Sequence, residues 1–179
     1  MPKGSTTRRA ILDQAMDLAS VVGLEGLTIG SLARRAGMSK SGLYAHFGSK
    51  DDLQIAVLDA AADRFGRVVL TPAFARPRGL PRIEALFEHW LAWGSGGLPG
   101  GCPFIAGAAE FDDRPGSVRD ALAGHIAITL EMLGRSARFA VTEGHFRPDS
   151  DPAQFAFDFW AVVLAHHQFL RLLGRKDAE

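Results

Sequence analysis

Apolar positions recur at helical spacing along almost the whole chain, and glycine, proline and capping residues cut them into segments. Ile11, Ala15, Leu18, Ala19 and Val22 form one stripe, which predicts a first helix from about Thr6 to Val22 with Gly23 at its C-terminal end. Ile29, Leu32, Ala33 and Ala36 make the next apolar face. Thr28 stands where its oxygen can accept a backbone N–H of the opening turn. Gly37 stands where a chain leaving a helix often needs positive φ. Ser39 is placed to cap a third helix, and Leu43 and Phe47, four residues apart, would pack it back onto the second. Leu24 and Leu27 complete that small core. Ser49-Lys50-Asp51-Asp52 has capping-box spacing, so a fourth helix is expected from Lys50, its apolar members continuing toward Val68.

The second half is punctuated differently. Residues 71–81, TPAFARPRGLP, read as a loop or boundary. Pro81 fits the first turn of a fifth helix running to about Trp93. The following GSGGLPGGCP is expected to be non-helical, being so rich in glycine and proline. A short helix is expected over Phe104–Phe111 and a long one from Ser117 to about Thr142. Asp151 and Pro152 open a last helix that is apolar nearly all round, with Phe155, Phe157, Phe159, Trp160, Val162 and Val163 among its members. A helix of that kind must be covered on several sides, and in a chain this short a second copy is the economical cover. The expected fold class is all-α: an N-terminal three-helix unit with a helix-turn-helix over residues 1–50, continuing into a linking helix over 50–70, and a C-terminal helical domain over 71–179.

Charge changes the picture where net charge does not. The 179 residues carry no net charge, but residues 1–50 hold seven Lys/Arg against three Asp/Glu, and the rest hold thirteen against seventeen. A basic head on an acidic body turns one end toward phosphate. Residues 1–5 are expected as a loose arm, from which Lys3, with Arg8 and Arg9, either touches DNA or stays solvated. The single cysteine, Cys102, rules out an internal disulfide framework and fits a reducing compartment. The N-terminus lacks an apolar signal core and no apolar run reaches membrane-spanning length, so a cytoplasmic location and no membrane partner are expected.

The third helix carries the candidate chemistry. Its outward positions are Lys40, Ser41, Gly42, Tyr44 and His46: one cation, small residues, a phenol and an imidazole, with no acid. Such a surface, apolar behind and small, polar and basic in front, suits the major groove. An ordinary helical hairpin has no reason to expose Ser41 and Gly42, which are poor helix formers. Arg34, Arg35 and Lys50 bracket the unit with positive charge, and Lys50 sits at a helix N-terminus, which already favours an anion.

These residues resemble the N-terminal DNA-binding domain of the TetR family of bacterial repressors. The matching residues are Ala10-Ile11-Leu12 with Ala15 and Leu18, then Gly23, Gly26, Thr28, Ile29, Leu32, Ala33 and Gly37, and the run Gly42-Leu43-Tyr44-Ala45-His46-Phe47 with Lys50 and Leu53. The likeness covers about the first third of the chain. It implies base-edge contacts from Lys40, Ser41 and Gly42. It also implies phosphate contacts from Thr28, Tyr44, His46 and Lys50, with Ser39 on the same DNA-facing surface. The implied partners are double-stranded operator DNA, a second copy joined through residues 117–142 and 152–173, and a small apolar or aromatic effector. The implied function is a regulator, a repressor released from its operator by that effector.

The body offers large side chains with few charges. Phe87, Trp90, Trp93, Phe104, Phe111, His125, Met132 and Phe159 are the candidate pocket residues, with His89 and Glu131 as further polar groups; the same stripe also reads as plain core. No cofactor or metal is implied. His145, His166 and His167 lack metal-ligand spacing, no GxSxG elbow occurs, and the glycine-rich loop lacks the GK[ST] of a phosphate loop. Cys102 alone makes no catalytic or redox constellation. No catalytic residue is therefore expected. The alternative is a helical small-molecule-binding protein or enzyme whose N-terminal hairpin is only structural.

Overall fold

The computed structural model describes residues 3–174, with side chains described from residue 7 onward. Its elements are α1 (Lys3–Gly26), α2 (Ile29–Ala36), α3 (Lys40–Phe47), α4 (Lys50–Phe65), α5 (Thr71–Phe74), α6 (Leu80–Ala92), α7 (Pro103–Phe111), α8 (Ser117–Thr142) and α9 (Pro152–Arg171). These nine α-helices are joined by two wide helical turns, Gly66–Leu70 and Trp93–Gly97, among the described residues. They group into two compact units: unit 1 is Met1–Asp63 with Leu98–Ala123, and unit 2 is Arg64–Gly97 with Gly124–Glu179. The chain leaves unit 1, enters unit 2, returns and leaves again.

Unit 1 is built on short, capped helices. Thr28 Oγ1 accepts from Ser31 N at 3.0 Å while Ser31 Oγ takes the Thr28 N–H, so α2 starts on a reciprocal box. Gly37 ends it at φ 64°. Ser39 Oγ accepts from Gly42 N at 3.1 Å and opens α3. Ser49 Oγ accepts from Asp52 N at 3.0 Å and opens α4. Behind these helices Leu24, Leu27, Leu32, Leu43, Phe47 and Leu53 are buried. Helix α7 packs on α1, and two glycines permit the approach. A Cβ on Gly100 would lie 1.6 Å from the Ser20 carbonyl oxygen, and one on Gly107 would lie 2.8 Å from Leu24 Cδ1. Gly100 N also donates to Ser20 Oγ at 2.9 Å.

Unit 2 is built on rings. Phe65 meets Trp90 and Trp93 edge-on, with centroids 4.8 and 5.7 Å away. Trp90 continues to Phe159 and Trp160, Phe159 to Phe87 and Phe155, and Phe155 to Phe146. Edge-on and tilted pairs at these separations add to the area that the rings bury.

Three expectations are corrected. Helix α1 begins at Lys3 rather than Thr6, so residues 3–5 are helical rather than a loose arm; residues 1 and 2 lie outside the described residues. Residues 71–74 are helical, not loop: after α4 the backbone widens over Gly66–Leu70, Thr71 N–H reaches the Gly66 carbonyl five residues back, and the Thr71 hydroxyl joins it at 3.0 Å. Pro72 fits there because a first helical turn needs no N–H from it. Residues 93–97 are also helical, in a second wide turn. Gly97 does not break that turn but leaves room for the Trp93 indole, which a Cβ would meet at 2.6 Å.

Candidate nucleic-acid interface

Helix α3 stands as the capping residues dictate. Leu43 and Phe47 are fully or almost fully buried, which fixes the rotation of α3 and turns the opposite side outward. Ser39, Lys40, Ser41, Tyr44 and Ala45 are exposed, and Gly42 and His46 are half-buried. Tyr44 shows 52% of its surface, far more than an apolar ring packed for stability would show. Thr28 is exposed at the start of α2. The Lys40 stem crosses the same place, since a Cβ on Gly30 would lie 3.5 Å from Lys40 Cε and 3.8 Å from Thr28 Oγ1. The structure thus brings Thr28 and Lys40 together at one edge. Gly42 has an internal reason beside any external one: a Cβ there would crowd the capping Ser39 Oγ at 3.2 Å. Arg8 lies over the Phe47 ring at 5.0 Å and adds a cation behind α3.

Lys50 is differently placed from the other candidates. It opens α4, but its Nζ donates to Glu25 Oε1 at 2.9 Å, and Arg114 lies 3.6 Å from the other oxygen of the same carboxylate. The Lys50 hydrogen bond holds the Glu25 carboxyl below the usual carboxylate range; burial opposes this, and the charges of Lys50 and Arg114 add to it. Sequence reasoning missed this partner. The one signal for it was that Glu25 is an acid among the seven cations of residues 1–50. It also missed how the turn at Gly23 is held. That residue leaves the helix at φ 80°, ψ 165°, Glu110 accepts the Glu25 N–H at 2.7 Å, and Gln54 donates to the Leu24 carbonyl. The Glu110 carboxylate occupies the space a Cβ on Gly23 would need.

The candidate pocket residues do not form one group. Phe87, Trp90 and Phe159 belong to the ring cluster of unit 2 and Trp93 joins it through Phe65. The indole N–H groups of Trp90 and Trp93 are buried without an acceptor among the described residues. Phe104 and Phe111 belong to unit 1, on α7. His125 and Met132 are both half-buried on α8, and Met132 lines a cavity of unit 2. Cys102 is buried just before α7. Among the described residues no group of three or more His, Cys, Asp or Glu could hold a metal ion, and no helix is long and apolar enough to cross a membrane.

A capped pair of short helices, apolar behind and non-acidic in front, defines a helix-turn-helix DNA-binding protein. The family models agree over most of the chain. The model for bacterial regulatory proteins of the tetR family matches residues 11–57, and the model for the tetracyclin repressor-like C-terminal domain matches residues 79–179. The chain belongs to the TetR family of DNA-binding transcriptional regulators. Among curated proteins it resembles the tetracycline repressor protein class C of Escherichia coli, 43% identical over 155 residues, which span 87% of this chain and 63% of that protein. It also resembles the transcriptional repressor ComR of Escherichia coli strain K12, 27% identical over 153 residues, 83% of this chain and 72% of that one. A TetR transcriptional regulator from Chloroflexus aurantiacus superposes with a TM-score of 0.90 at 26% identity, covering 99% of this chain and 90% of that one. AibR, solved with isovaleryl coenzyme A and operator DNA, superposes with a TM-score of 0.78 at 26% identity, covering 96% and 91%.

Proposed function

We propose that this protein is a homodimeric repressor that reads a near-palindromic operator and releases it when a small molecule binds in unit 2. The observation that carries the reading is the outward, acid-free face of α3. Lys40, Ser41 and Gly42 would meet base edges; Thr28, Ser39, Tyr44, His46 and Lys50 would meet phosphates and set the register. A phosphate at Lys50 would share the ammonium with Glu25 or displace it. Two copies would set two such helices into major grooves one turn or a multiple apart. The protein would act in the cytoplasm, where operator DNA is found.

Dimerisation is supported by the outer face of α8 and α9. Ile128 is 67% exposed and Phe157 65%, and Ala161 and Ala165, both exposed, lie between Phe157 and Phe169 at helical spacing. Small residues between large ones allow two helices to approach closely. Effector binding is supported by the buried, unmet indole donors of Trp90 and Trp93 and by the cavity beside Met132. AibR was solved with both an acyl coenzyme A and operator DNA, which is the pairing of partners that this reading gives to the chain. The effector would shift the population toward dimers whose reading helices are wrongly spaced, by no more than its differential affinity for the two states.

Fluorescence anisotropy on DNA flanking its own gene tests the reading. We expect sequence-selective binding at moderate salt; binding that ignores sequence would overturn it. Lys40→Ala should cost about 1–3 kcal/mol of discrimination between operator and mismatched sites. Lys50→Ala should weaken all sequences alike and lower the salt slope by about one.

A further inference from the structure

Unit 2 contains a cavity of about 280 Å³ beside α5, the start of α6 and one edge of α8. That is close to the ~300 Å³ at which small-molecule clefts begin. Phe74, Ile128, Met132 and Phe139 supply apolar wall. On α8, Met132, Ser136 and Phe139 follow at i, i+4 and i+7 and share one edge. Gly134, on the other side of the helix, lies against Pro152 at the start of α9. Ile128 is shared: it lines the cavity and is exposed on the face of α8 assigned to dimerisation, so the cavity lies at the edge of that face.

Arg82 is the unusual member of the wall. Its Nη2 donates to the Arg76 carbonyl at 3.0 Å and to the Phe74 carbonyl at 3.4 Å, and its guanidinium sits 5.4 Å from the Phe74 ring centroid. The side chain is thus held in place from two sides. Its Nε–H, however, is buried and has no acceptor among the described residues. That atom is closed off even from water, so a ligand in the cavity would meet the part of the guanidinium that lines it; charge-assisted hydrogen bonds to carboxylates are among the strongest that arginine makes. Arg135 lines the same cavity, and so does Glu131, four residues before it on α8, the spacing at which a glutamate and an arginine face each other. The cavity lining thus carries two guanidiniums, Arg82 and Arg135, against one carboxylate, Glu131.

We infer that this cavity binds a small organic acid: the carboxylate meets Arg82, with Arg135 at the mouth, and the hydrocarbon or ring lies on Ile128, Met132 and Phe139. The assignment deepens the effector reading and rests on it only for the regulatory consequence. Calorimetry on the full-length protein tests it, with octanoate and phenylacetate as probes and octanamide and phenylacetamide as their uncharged counterparts. At least one acid should bind, its amide about tenfold or more weaker. Arg135→Gln, at an exposed position, should weaken the acid and leave its amide unchanged. Arg82→Gln should do the same more strongly. Because Arg82 also ties down the turn after α5, Met132→Trp provides a second test: it fills the cavity from the opposite wall and should abolish binding. Equal affinity for acid and amide, no binding of either acid, or binding indifferent to all three substitutions would overturn the assignment. Operator anisotropy is read separately. Acid binding without operator release leaves the cavity standing and sinks the effector role, whereas operator binding without acid binding sinks the cavity alone.

Discussion

In unit 1, α2, α3 and α4 each begin on a hydroxyl at a helix N-terminus, and Gly100 and Gly107 close onto α1 with no room to spare. In unit 2, a run of rings from Phe65 to Phe146 does the corresponding work, and two indole N–H groups and the Arg82 Nε–H stay buried without acceptors. The first arrangement is directional and local: a cap has one partner a few residues away and one geometry. The second is non-directional, and it leaves those buried donors without an acceptor among the described residues. The contrast matches the division of labour. Under the proposed function, a surface that is to read DNA would have to present Lys40, Ser41 and Tyr44 in one orientation, whereas a ligand-responsive body would gain from donors left free for a bound molecule.

The contrast can be tested with spectroscopy, because all three tryptophans lie in unit 2 and the single tyrosine lies in unit 1. The largest effect should come from Gly100→Ala. Its Cβ has no space against the Ser20 backbone, so about 3 kcal/mol of stability should be lost. Tyr44 fluorescence and calorimetric melting should report the loss first. Gly66→Ala is the matched control in unit 2. Nothing lies within 4 Å of that added carbon, so the change should be within about 1 kcal/mol, on the stabilising side. Equal losses from both would break the comparison.

Thr28→Ala should have a smaller effect. Removing the cap should cost about 1 kcal/mol and weaken DNA binding as well, because α2 and α3 share the disturbed corner. If denaturant melts of the variant show the stability loss with no loss of operator affinity, Thr28 is a structural cap only.

The smallest effect belongs to unit 2 and to pH. Burial pushes the His167 imidazole below its ordinary value of 6.5, and the charges of Arg171 and His166 push the same way. The fold therefore prefers the neutral ring, while the unfolded chain takes up the proton from about pH 6.5 downward. Stability should fall as the pH drops below that point and level off once the folded ring is protonated too. Melts followed by tryptophan fluorescence should drop by roughly 2–4 °C or less between pH 8 and pH 5.5. His167→Gln should flatten the profile; an unchanged slope would assign the acid sensitivity elsewhere.

Much of unit 1 was legible because its signals are local. Thr28, Gly37, Ser39 and Ser49 each act within four residues of themselves, so the order of the chain determines which N–H each can reach. The exposed face of α3 followed from Leu43 and Phe47, since burying those two turns the rest outward. The grip of Glu25 on Lys50 was not legible. Nor were the seat of Glu110 under Gly23 and the return of residues 98–123 to the head. Each joins positions 25 to about 90 residues apart, and no local pattern marks which distant side chain will arrive.

By itself, then, the sequence determined an all-α chain, the capped pair of helices and the acid-free outer face of α3, because periodicity and capping are decided within one or two turns. Tertiary structure alone decided that Phe104 and Phe111 join a different unit from Trp90 and Phe159, that the glycines at 97 and 100 make room for a ring and a carbonyl, and that Arg82 lines a cavity with Arg135 and Glu131. Those outcomes depend on which surfaces meet once entropy has been spent on folding, and packing couples every side chain to neighbours that the linear order does not name.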